Sequence, residues 1–163
     1  MAEHKPFPLL RALAEARVDF IVVGGLAAVL EGAPITTLDV DVVHSREPEN
    51  VGRLLGGLAR LDAFFRIQPD RRVRPEASHL AGPDHLNLST RYGPLDLPGT
   101  IGHGRGYEDL LPHTAEMDLG DGVRVRVLDL ATAIAIKEEV GGEKDLAVLP
   151  ILKRTLRETQ DRS

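Results

Sequence analysis

The sequence predicts an α+β domain in which helices flank a mixed β-sheet and the C-terminal part is helical. Three observations carry this. Short β-branched apolar runs recur through the chain. Segments of helical periodicity separate them. Their order is helix, strand, short helix, strand, helix, several strands and then helices, which suits a sheet with helices packed on it rather than a bundle or a sandwich. At 163 residues the chain is long enough to bury one sizeable core and is most simply one domain. Within it, residues 1–100 form the sheet core, and 101–163 add a strand and helices.

In chain order, residues 7–17 place Leu9, Leu10, Leu13 and Ala14 at helical spacing. "DFIVV" reads as a buried strand ended by Gly24-Gly25, and "LAAVLEG" as a short helix closed by Gly32. "APITT" is a loop, and "LDVDVV" a second strand with Leu38, Val40 and Val42 facing the core. "EPENVGRLLGGLARL" repeats Val51, Leu54, Leu55 and Leu58, with Pro48 in the first turn, and predicts an amphipathic helix. Between Phe64 and Pro83 the pattern fades into loop, with strand pieces at best. "HLNLST" and "GPLDLPG" read as two strands meeting at "RYG", a candidate hairpin. "GTIGHGRG" is a glycine-rich loop, and "YEDLL" a helical turn. "GDGVRVRVL" alternates as a half-exposed strand after an Asp-Gly turn. Asp129 is placed to cap "LATAIAIKEEV", a helix apolar nearly all round and therefore expected at the centre. A last helix opens at "GEKDLAVL", where Pro150 predicts a kink or a new segment.

Composition narrows the chemistry. There is no cysteine, which excludes disulfides, thiolate metal sites and a cysteine nucleophile. The histidines lack metal-ligand spacing and no serine sits in a nucleophile-elbow pattern. No apolar run reaches membrane-spanning length, and "MAEHKPFPLL" lacks the regions of a secretory signal, so a soluble cytoplasmic protein with no membrane partner is expected. The net charge of −5 argues against a chain devoted to coating nucleic acid. Basic residues nevertheless cluster at Arg66, Arg71, Arg72 and Arg74, and again at Lys153, Arg154, Arg157 and Arg162.

Two aspartates, Asp39 and Asp41, interrupt the apolar second strand. On a strand, residues i and i+2 share one face roughly 7 Å apart, and two like charges so placed raise each other's pKa. A divalent cation removes the conflict: magnesium takes one or two carboxylates and accepts phosphate oxygens and water as its other ligands. The preceding strand–Gly24-Gly25–helix unit lets backbone N–H groups approach a phosphate. The plain alternative is an exposed edge strand with solvated acids.

Together, "VVGGLAAVLEGAPITTLDVDVV" resembles the signature of the DNA polymerase beta-type nucleotidyltransferase superfamily. The resemblance implies a third carboxylate on a neighbouring strand, for which Asp96 in "GPLDLPG" is the candidate, and two magnesium ions held by Asp39, Asp41 and Asp96. More loosely, residues 90–152 resemble small bacterial proteins related to abortive-infection (toxin-type) nucleotidyltransferases. Those carry a lysine on one helix and a Lys-Asp pair opening the next, matched here by Lys137, Lys144 and Asp145. The likeness implies a catalytic set of Asp39, Asp41 and Asp96. It also implies nucleotide contacts from Gly24, Gly25, Thr37, Lys137 and Lys144, with ATP or another NTP as donor. The acceptor would be an RNA end, a protein hydroxyl or a small molecule, and an antitoxin-like protein is an expected partner. Relatives often have Arg before the first aspartate and Arg-Pro before Lys-Asp; here Leu38 and Gly142-Glu143 stand there. That departure keeps open a degenerate module that binds nucleotide or a partner without catalysis. "GHGRG", with Arg105, is a weaker second phosphate-loop candidate.

Overall fold

A computed structural model describes residues 4–161. Strands β1 (Phe20–Val23), β2 (Val40–His44), β3 (Phe64–Phe65), β4 (His85–Thr90), β5 (Gly93–Pro98), β6 (Thr114–Asp118) and β7 (Arg124–Leu128) form one sheet in the order β3-β4-β5-β2-β1-β7-β6. β2 with β5 and β1 with β7 are parallel, and the other pairs are antiparallel. The mixed sheet is the expected one, and "RYG" does close a hairpin between β4 and β5.

Helices α1 (Pro6–Glu15), α2 (Gly24–Leu30), α3 (Pro48–Arg60), α4 (Ala77–Ala81), α5 (Tyr107–Leu110), α6 (Leu130–Val140) and α7 (Glu143–Asp161) cover the sheet. Leu9, Leu10 and Leu13 of α1 and Leu54 and Leu58 of α3 pack with Val40, Val42, Leu95 and Leu97 in the main core. Ile21, Val23 and Val43 join a second cluster with Leu110, Leu128 and Ile136. Alternation along β2 and β5 therefore sends their even-numbered valines and odd-numbered leucines into the main core. Asp41 and Asp96 are left on the opposite face, under α6.

Several local expectations are met. Asp129 accepts a hydrogen bond from the Thr132 N–H at 2.7 Å. Gly32 follows α2 at φ +103, and the Ala33 N–H donates to the Ala28 carbonyl at 2.9 Å, closing the helix end.

Others are corrected. β2 begins at Val40, not Leu38, and Leu38 is 70% exposed rather than core-facing. Val23 is the last residue of β1 and pairs with Asp41; beyond it Gly24 turns into α2, so residues 38 and 39 have no strand on that side to pair with. α2 starts at Gly24 itself, the glycines being its first turn. α6 is not central: Leu130, Ile134 and Ile136 are buried while Ala131 and Ala135 face outward. Pro150 neither ends nor divides α7, which runs 19 residues through it; the proline is exposed there. β6 and α4 lack sequence signals. β6 is a largely exposed edge strand with no apolar alternation, and α4 is five residues with one buried side chain, Leu80. Arg162 lies outside the described residues.

Candidate active site

The site begins with register. β2 and β5 run parallel with Asp41 opposite Asp96, so the two carboxyl groups stand on one face of adjacent strands, within hydrogen-bond reach of each other. The Asp41 pKa is pushed up to about 7, first by burial, then by Asp96 and more weakly by Asp39, while the Arg66 guanidinium opposes the shift. Asp96 is 7% exposed. Asp39 lies one residue ahead of β2, half-buried, and its backbone carbonyl accepts from the Thr37 hydroxyl at 3.1 Å.

Gly24 makes room for this pair. Its φ is +66, and a Cβ there would run into the Asp41 carboxylate. Gly25 is crowded differently: a Cβ would come within 2.9 Å of the Thr37 hydroxyl. Thr37 therefore lies against the glycine turn, and Asp41 lies over it. The first backbone N–H groups of α2 have no partner within that helix.

A cleft of about 440 Å³ opens beside the carboxylates, lined by Gly24, Asp41, His85, Asp96, Lys137 and Asp145 among others. That volume falls within the range of small-ligand sites. Lys137 reaches the cleft from α6, and its ammonium pairs with Asp145 of α7 at 3.3 Å. The Lys-Asp pair opening α7 thus divides: Asp145 faces inward and Lys144 is exposed, away from the lining. Arg105 of the glycine-rich loop is paired with Glu139.

In the sequence Arg66 is one of a basic cluster with Arg71, Arg72 and Arg74, whereas the fold brings it to Asp96, with which it forms a half-buried ion pair. His85 also lines the cleft. Neither carried a signal in the sequence, because each depends on which strands become neighbours. The rest of the arginine cluster is turned to other partners: Arg72 and Arg74 pair with Asp62, and Arg71 bonds Gln68.

Among the described residues no three His, Asp or Glu side chains converge into a ready-made cation site. The Asp41–Asp96 pair nevertheless fits magnesium. Two crowded carboxyl groups, the Asp41 pKa raised chiefly by burial and then by its neighbour, match the one or two carboxylates this ion takes from protein while phosphate and water supply the rest. No described helix is long and apolar enough to cross a membrane.

No family model and no curated protein matches this chain. By structure it is similar to a candidate nucleotidyltransferase from Thermotoga maritima, at 15% identity and a TM-score of 0.56, over 99% of this chain and 98% of that one. The chain has a nucleotidyltransferase-like α+β fold.

Proposed function

We propose that this protein is a magnesium-dependent nucleotidyltransferase that moves a nucleoside monophosphate from an NTP to a hydroxyl acceptor. The observation that carries the reading is the in-register pair of Asp41 and Asp96 beside Gly24, at the edge of a cleft reached by Lys137. Asp41 and Asp96, with Asp39 next to them, would hold magnesium, which when bound neutralises phosphate charge and favours the ionised acceptor. The N–H groups of Gly24 and Gly25 and the Thr37 hydroxyl would meet the β- and γ-phosphates. Lys137 can exchange Asp145 for the pyrophosphate, with exposed Lys144 at the outer side.

In the reaction the acceptor oxygen bonds to the α-phosphorus as the bond to the pyrophosphate oxygen breaks. The hydroxyl proton passes to Asp96 or to water, and pyrophosphate departs. Positioning and charge neutralisation account for most of the rate. The work belongs in the cytoplasm, where NTPs and magnesium are held. RNA ends, protein hydroxyls and small molecules remain the acceptor classes, with an antitoxin-like partner as restraint. Since Arg72 and Arg74 already answer Asp62, an RNA acceptor would draw on fewer free charges than the four arginines between 66 and 74 would supply unpaired.

A second reading, a module that binds nucleotide or a partner without transfer, is favoured by Leu38 and Gly142-Glu143 in place of cationic residues.

Thermal unfolding with magnesium and each of the four NTPs tests the binding, because a ligand of the folded state raises its stability by mass action. A magnesium-dependent rise with a nucleotide, lost in Asp39→Asn and Asp41→Asn, supports the site. No rise with any nucleotide overturns it. Pyrophosphate release, or its absence despite binding, then separates the two readings.

A further inference from the structure

Arg66 is held as part of the site rather than as surface charge. Its backbone N–H donates to the Asn87 carbonyl at 3.0 Å, its Nη1 donates to the Leu88 carbonyl at 3.0 Å, and its Nη2 donates to Asp96 Oδ1. Just beyond β3, the side chain thus crosses β4 to reach β5. Its side chain is 30% exposed and that of Asp96 10%, so solvent cannot easily replace the partner. The backbone bond and the Leu88 contact orient the guanidinium independently of Asp96, so its position does not rest on the ion pair alone.

This limits what Asp96 can offer. A cation lying between Asp41 and Asp96 needs one oxygen from each. A second cation on Asp96 would share a carboxylate whose Oδ1 Arg66 already binds, and would sit against a fixed positive charge. Arginine cannot give up its proton to relieve that conflict.

We propose that Arg66 is the resident counter-cation of Asp96, and that without nucleotide the site takes one divalent cation between Asp41 and Asp96 while the guanidinium occupies the place of a second. This rests on the metal-binding reading above. Arg66 is in this view a positioning residue: it sets how many ions the empty site accepts and holds the Asp96 carboxylate for its partner. A two-ion state then belongs to the nucleotide complex, where phosphate oxygens give the guanidinium another anion.

The test is a count of bound manganese(II) by electron paramagnetic resonance and titration calorimetry on nucleotide-free protein at pH 8. The wild type is compared with Arg66→Met and Arg66→Lys, each first shown folded by circular dichroism. The wild type should bind one ion and Arg66→Met a second, with Arg66→Lys keeping the count at one because its ammonium still opposes the second ion. Should the lysine variant fail to fold, the methionine comparison decides alone; should the methionine variant fail, Arg66→Gln takes its place. Two ions on the wild type, or one ion on both wild type and the neutral variant, would overturn the proposal and leave the carboxylate site standing. No manganese on any of them would instead overturn the metal-binding reading itself, and this inference with it.

Discussion

Replacing Asp41 by Asn should stabilise the metal-free protein above pH 7 while abolishing its response to magnesium. The Asp41 carboxyl is raised from 3.8 to about 7, so between those values the folded state holds a proton that the unfolded chain has lost. Stability contributed by that proton is present at acid pH and disappears as pH rises through 7, leaving an ionised, crowded carboxylate. A shift of about 3 pKa units corresponds to about 4 kcal/mol. The carboxyl is only partly buried, and solvent screening reduces the usable figure to about 2 kcal/mol. For a chain of this size that is about 4–8 °C in melting temperature. Asparagine removes the charge, and its amide can donate to Asp96.

The assay is thermal or urea unfolding of both proteins from pH 4.5 to 8.5, with and without magnesium. The difference between them isolates the Asp41–Asp96 pair from the other titrating groups. It should be smallest at pH 4.5, grow in favour of the variant as pH rises towards 7, and level off above that. Magnesium should close the gap by stabilising only the wild type, and more at pH 8 than at pH 6, because it competes with the proton. A variant that is no more stable than wild type at pH 8, or a difference that does not change with pH, would refute the crowded pair.

Gly24→Ala should cost about 1–3 kcal/mol from the positive φ alone, with more from the collision with Asp41. Gly25→Ala, where φ is not positive and the Cβ meets the Thr37 hydroxyl and Cβ rather than the Asp41 carboxylate, should cost less; equal urea midpoints for the two would contradict the assigned backbone. His44 is buried, its Nε2–H donates to the Leu80 carbonyl at 2.8 Å, and its Nδ1 has no hydrogen-bond partner. Burial holds its pKa below 6.5 despite the Leu80 bond, with Arg46 adding to the shift. The unfolded chain therefore binds the proton first, and this stability, intact above pH 6.5, is lost as the medium is acidified. Wild type should lose stability relative to His44→Gln between pH 6.5 and 5, read by circular dichroism melts; parallel curves would count against it.

Much of the site was legible because its parts are local. A strand, two glycines, a short helix and an acid-x-acid pattern lie within residues 19–45, and each announces itself by periodicity or backbone demand. Asp96 was legible for the same reason, as an acid between two leucines that must be buried. The sequence sets Asp145 beside Lys144 at the start of the last helix, whereas the fold turns it to Lys137. A helix start specifies which residues are near the end, not which side chain faces a neighbouring helix.

What the sequence by itself determined is most of the elements, β6 and α4 apart, and which acids interrupt apolar strands, since strand alternation and glycine geometry act between near neighbours. Only the tertiary structure decided that β5 lies parallel to β2 with Asp96 level with Asp41, that Arg66 crosses β4 to neutralise Asp96, and that residues 38 and 39 fall outside the strand. Each depends on pairing between segments far apart in the chain, where register is set by the packing of the whole sheet against α1, α3 and α6. A one-residue slip would turn both aspartates into the main core and the leucines outward, so the same burial that holds the fold together also holds the two carboxylates opposite one another.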